Sequence, residues 1–151
     1  MIQRIQTVYL LIALILLAVC ACLPIGEFIP ASMGAPISMY NLCLISEENG
    51  WNFSVCGLFC LLAVDFVYII RTIFDYNNRQ HQAKMCQLSA IILLLWIVLY
   101  AILGFVVGHD DAEFKIGYSS ILPVVAILLI FLARRGVIAD EKLVRAADRI
   151  R

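Results

Sequence analysis

The chain has 151 residues, 64% of them hydrophobic and 15% charged, with 11 basic and 11 acidic side chains that leave a formal net charge of zero. Together with a mean hydropathy of +0.97, this exceeds what a soluble domain of that length tolerates and excludes a water-soluble globular protein. The zero net charge says nothing about partners, because the two signs are separated along the chain.

The first apolar stretch runs from Ile5 to Leu23, within the roughly 17 to 25 residues that a helix rising about 1.5 Å per residue needs to cross a hydrocarbon core. Arg4 and the small residues from Ala18 to Cys22 imitate a secretory cleavage region, but the run is long enough to span and is read as a retained helix. Pro24 to Asn52 then forms the one sizeable loop, whose approach is broken by Pro24, Pro30 and Pro36. Ile37 to Ile45 looks extended and is followed by Glu47-Glu48-Asn49-Gly50. An Asn-Gly turn leading into Trp51, Asn52 and Phe53 predicts a short hairpin there.

The second stretch covers Phe53 to Ile70 and contains Asp65, an acid inside a span. An intramembrane carboxylate is a candidate proton or cation relay. Its five-residue distance from Ile70, about 7 to 8 Å, also lets it reach the interface or pair with Arg4 or Lys84. Cys56, Gly57 and Cys60 give this helix a small-residue face, and Gly104 and Gly108 do the same for the third, so these five are predicted to mediate close helix packing.

Arg71 to Met85 is a polar connection, and the third stretch runs from Leu88 to Gly108. His109, Asp110, Asp111 and Glu113 follow. Oxygen-rich clusters of this kind hold divalent cations in some proteins, but a hydrophilic turn of about nine residues explains them and no metal is expected. The fourth stretch runs from about Ile116 to Leu132, with Pro123 predicted to kink it. Beyond it, Gly136 is predicted to end the helix and Asp140 to cap a new one in the tail 133–151. That helix would be basic and amphipathic, with Leu143, Val144, Ala147 and Ile150 on one face and Lys142, Arg145, Arg149 and Arg151 around the rest. A solvated tail and a protein-docking helix are the alternatives.

Ten of the eleven basic residues fall on one side of these four stretches, and Lys115 alone falls on the other. The positive-inside rule therefore puts both termini in the cytoplasm. The predicted fold is an all-α membrane protein: a single antiparallel four-transmembrane-helix bundle over 1–151, with a short outer hairpin loop and a C-terminal cytoplasmic amphipathic helix.

Six cysteines, Cys20, Cys22, Cys43, Cys56, Cys60 and Cys86, raise the possibility of thiol redox chemistry. No Cys-x-x-Cys pair is present, and Cys56 and Cys60, one helical turn apart, are too distant for an unstrained bridge. Phosphate-binding glycine loops, His-Glu-x-x-His and nucleophile elbows are all lacking. No enzyme activity and no cofactor are expected.

Three segments are distinctive: Met1-Ile2-Gln3-Arg4-Ile5-Gln6-Thr7-Val8-Tyr9-Leu10, the connection with Ile73-Phe74 and Asn78-Arg79-Gln80, and the tail Asp140-Glu141-Lys142-Leu143-Val144-Arg145 with Asp148-Arg149-Ile150-Arg151. With them the chain resembles the domain of unknown function 4293 family, small four-span membrane proteins typical of the Bacteroidota. That resemblance implies a protein of a Gram-negative inner membrane and supplies no activity or catalytic residues. Because both ends face one side, Arg4, Arg79, Asp140, Arg145 and Arg149 are expected to form a cytoplasmic platform.

The expected role is that of a non-enzymatic accessory or scaffold subunit. The alternatives are a membrane thiol-disulfide oxidoreductase and a small proton- or cation-coupled transporter using Asp65. Expected partners are membrane lipids and other membrane subunits or further copies of the chain, without nucleic acid.

Overall fold

A computed structural model describes residues 2–30, 35–46, 50–75, 79–107 and 112–148, with side chains omitted at 2–4, 107 and 145–148. Four long helices, α1 (Ile2–Cys22), α2 (Cys56–Phe74), α3 (Arg79–Val107) and α4 (Ile121–Asp148), carry most of the chain. Each holds a window long and apolar enough to cross a membrane. α1 contains no proline or glycine, and it stops where Pro24 pushes Leu23 out of the helical region.

The helices pack in a closed circuit, α1 on α4, α4 on α3, α3 on α2 and α2 on α1. Side-chain contacts such as Gln6 to Asp140, Gln82 to Thr72 and Arg134 to Gln87 make successive helices antiparallel. Buried positions recur at alternating spacings of four and three. In α3 they are Gln82, Cys86, Ser89, Leu93, Trp96 and Tyr100; in α2 they are Leu58, Leu62, Asp65, Ile69 and Thr72. This is the seam of left-handed helix packing, in which side chains interdigitate between neighbours.

The remaining faces are apolar and outward. Ile91, Leu94, Leu95, Val98, Ile102 and Phe105 form such a stripe along α3.

The all-α expectation is corrected by a five-stranded antiparallel sheet at one end of the helices. Its strands are β1 (Gly26–Pro30), β2 (Ile37–Met39), β3 (Leu44–Ser46), β4 (Gly50–Asn52) and β5 (Ala112–Ile116), in the order β4-β3-β2-β1-β5. The predicted hairpin is the β3–β4 pair, in which Ser46 faces Gly50. Gly50 sits at φ 70, a conformation that glycine adopts without penalty. Residues 47–49, which would form its turn, lie outside the described residues.

The strand that sequence reading assigned to a polar turn is β5. It joins the sheet by pairing with β1 from far along the chain, Phe28 against Phe114 and Glu27 against Lys115.

The tail also differs from expectation. α4 continues unbroken through Gly136 and Asp140 to Asp148, so no separate amphipathic helix starts at Asp140. Gly136 lies against α1, where an added Cβ would approach Gln6 Cγ to 3.0 Å. It permits close approach rather than ending the helix. Pro123 falls in the first turn of α4, a position that tolerates its missing N–H.

Candidate functional site

Polar side chains gather at three levels along the helices. At the sheet end, Asn41 in the β2–β3 turn is fully buried. Its amide donates to the Cys20 carbonyl at 2.7 Å, and its Oδ1 accepts from Trp96 Nε1 at 3.1 Å. Its own carbonyl accepts from the Phe59 N–H at 3.1 Å. One loop residue thus ties α1, α2 and α3 to the sheet, and it satisfies donors and acceptors that would be costly to bury unpaired.

Tyr100 stacks on Trp96 with centroids 5.3 Å apart and donates to the Ile25 carbonyl at 2.7 Å. Phe114 packs edge-on against Tyr100 and tilted against Phe28. Its ring is wedged between Gly26 and Gly104, at each of which an added Cβ would come within 2.7 Å of the ring.

At mid-height, Asp65 stands nine residues from Cys56 and nine from Phe74, about 13 Å from either end of α2. It is fully buried, and neither carboxylate oxygen has a hydrogen-bond partner among the described residues. The buried Ser89 hydroxyl of α3 faces it as a hydrogen-bonding neighbour, at a geometry looser than a regular hydrogen bond. α2 extends four residues past Ile70, to Phe74. Lys84 is exposed and makes no ion pair with Asp65. The Arg4 side chain lies outside the described residues.

At the end carrying the termini, Gln6 Nε2 donates to Asp140 Oδ2 at 3.0 Å, and Arg79 Nη1 donates to the Asp140 backbone carbonyl at 3.2 Å. Gln80 Nε2 donates to Glu141 Oε1 at 2.7 Å, and Gln82 Nε2 to the Thr72 carbonyl at 3.1 Å. His81 pairs with Asp75, at the C-cap of α2. All four helices are therefore latched at this end through side chains.

Of the predicted site residues, the structure brings Arg79 and Asp140 together. Asp65 stands apart from them, and the side chains of Arg145 and Arg149 lie outside the described residues. Of the predicted packing face on α2, Cys56 and Cys60 are exposed in this chain. Gly57 is exposed too, although a Cβ there would meet Leu99 of α3 at 3.6 Å. Gly104 is buried, but against Phe114 of a strand rather than against a helix. Gly108 lies outside the described residues, as do His109, Asp110 and Asp111. Among the described residues all six cysteines are free, and no group of three or more His, Cys, Asp or Glu side chains is arranged to hold a metal ion.

Sequence reasoning missed Asn41, Trp96, Phe114 and Ser89. A signal existed in the seven-residue spacing of Gln82, Ser89 and Trp96, and of Asp65 and Thr72, which puts polar groups on the buried seam of an otherwise apolar helix. No curated protein matches this chain in sequence. A family model described as a domain of unknown function (DUF4293) matches residues 2–150, essentially the whole chain, which therefore belongs to the DUF4293 family.

Proposed function

We propose that this is a multi-pass protein of a bacterial inner membrane, with both termini cytoplasmic, that serves as a non-enzymatic accessory or scaffold subunit of a membrane complex. The observation that carries the reading is the latch of Gln6, Arg79 and Asp140. It ties the first turns of α1 and α3 to α4, at the end where Arg71, Lys84, Arg135 and Lys142 are exposed. A cationic surface at a membrane face attracts anionic lipid or acidic protein segments. The outward apolar stripe of α3 suits either lipid or a neighbouring helix.

The test is extraction in mild detergent followed by identification of what co-purifies. A stoichiometric membrane partner, lost when Asp140→Ala and Arg79→Ala are combined, supports the reading. A lone chain with an unaffected phenotype in that double variant opposes it.

One observation favours a second reading. Asp65, in the middle of α2, is buried and faces only the Ser89 hydroxyl without a regular hydrogen bond, an arrangement that suits a proton- or cation-coupled transporter. On that reading Asp65→Asn abolishes an ion-coupled flux in proteoliposomes, whereas on the scaffold reading it leaves complex formation intact.

A further inference from the structure

A second feature lies at the opposite end, where the apolar windows of α1 and α4 stop. The window of α1 ends at Cys22, and that of the fourth helix begins at Tyr118. Between these points a cavity of about 420 Å³ opens at the seam of α1, β1 and β5. It is lined by Leu23, Glu27, Lys115, Ile116, Tyr118 and Ser119, with backbone from Pro24, Gly26 and Gly117. Its height is that of a lipid headgroup, if the four helices span a bilayer as proposed above.

The charges in it are of both signs and held in register. Glu27 and Lys115 are paired positions on β1 and β5, with Cβ atoms about 5 Å apart in such a pair. Both are exposed, and no ion pair joins them among the described residues. Lys115 is the only basic residue that the sequence supplies on this side of the spans. Tyr118 is 96% exposed, which leaves its hydroxyl available beside them. Ser119 and Gly117 are committed elsewhere, to the carbonyls of Pro24 and Ile25. Leu23 and Ile116 in the lining, and Ile121 at the start of α4, expose apolar surface.

We infer that this cavity binds a zwitterionic phospholipid headgroup bearing a primary ammonium, phosphatidylethanolamine in chemical class. Lys115 and the Tyr118 hydroxyl donate to the phosphate, Glu27 accepts from the ammonium, and the acyl chains descend over Leu23 and Ile121. A carboxylate rejects a purely anionic headgroup by like-charge repulsion. It also prefers an ammonium with N–H donors over a quaternary one, because only the former makes charge-assisted hydrogen bonds.

The inference rests on the membrane reading, and the experiment separates the two. The full chain is reconstituted in nanodiscs of equimolar phosphatidylethanolamine, phosphatidylcholine and phosphatidylglycerol, released in the mass spectrometer, and the retained lipids are identified. The wild type is expected to retain phosphatidylethanolamine about fivefold over the other two, the discrimination that one exposed charge contact supplies. Glu27→Gln should lose that preference and take up phosphatidylglycerol, while Lys115→Gln should lose both. Unchanged thermal unfolding of each variant, expected for exposed side chains, assigns the losses to the site. Equal retention of the three lipids by the wild type, or the same retention pattern in all three proteins, overturns the site. Failure of the wild type to enter nanodiscs would instead overturn the membrane reading.

Discussion

Asn41 and Asp65 are both buried polar residues, but their environments oppose one another. Asn41 has its donors and acceptors matched from three helices. Removing it strands Trp96 Nε1 and the Cys20 carbonyl, so Asn41→Ala should lower stability by about 2 to 3 kcal/mol, measured as detergent-phase thermal or denaturant unfolding. Asp65 has only the Ser89 hydroxyl facing it, without a regular hydrogen bond, and a buried carboxylate so poorly matched is a burden rather than a bond. Asp65→Asn should therefore be as stable as the parent or more so. A loss of about 3 kcal/mol or more would mean that the charge has a partner which holds it. The burial of Asp65 is foreshadowed by its seven-residue spacing from Thr72, whereas the environment of Asn41 has no signal in the sequence. Asn41 sits in a loop like many polar residues.

At the scale of elements, what the sequence makes plain is helix, because runs of apolar residues without proline have few alternatives in lipid. The sheet was hidden by size. β1 and β5 have five residues each and gain their stability from one another, 82 to 90 residues apart in sequence, and local pattern carries no trace of such a pairing. Phe114 fastens this sheet to α3, so Phe114→Ala should cost about 3 to 5 kcal/mol. Gly104→Val should destabilise comparably, since the ring has no room to share with a Cβ. If Gly104→Val unfolds like the parent, the ring does not hold the sheet in place. The continuity of α4 was misread for a similar reason. Gly136 is a helix terminator in isolation, but in the fold it is the point where α1 and α4 approach closely.

For the whole molecule, the polar latch at one end and the sheet at the other give the chain two unlike faces separated by apolar helices. The proposed cytoplasmic placement of the termini rests on the asymmetry of basic residues, and the lysines provide a direct test of it. The chain has three: Lys115 at the sheet end, and Lys84 and Lys142 at the terminal end. All three are exposed. The most direct measurement is therefore to treat right-side-out membranes with a membrane-impermeant amine reagent and map the modified lysines by peptide mass spectrometry, before and after permeabilisation. The account predicts modification of Lys115 alone in sealed membranes, with Lys84 and Lys142 joining it only after permeabilisation. Modification of Lys84 or Lys142 in sealed membranes, with Lys115 protected, would contradict it.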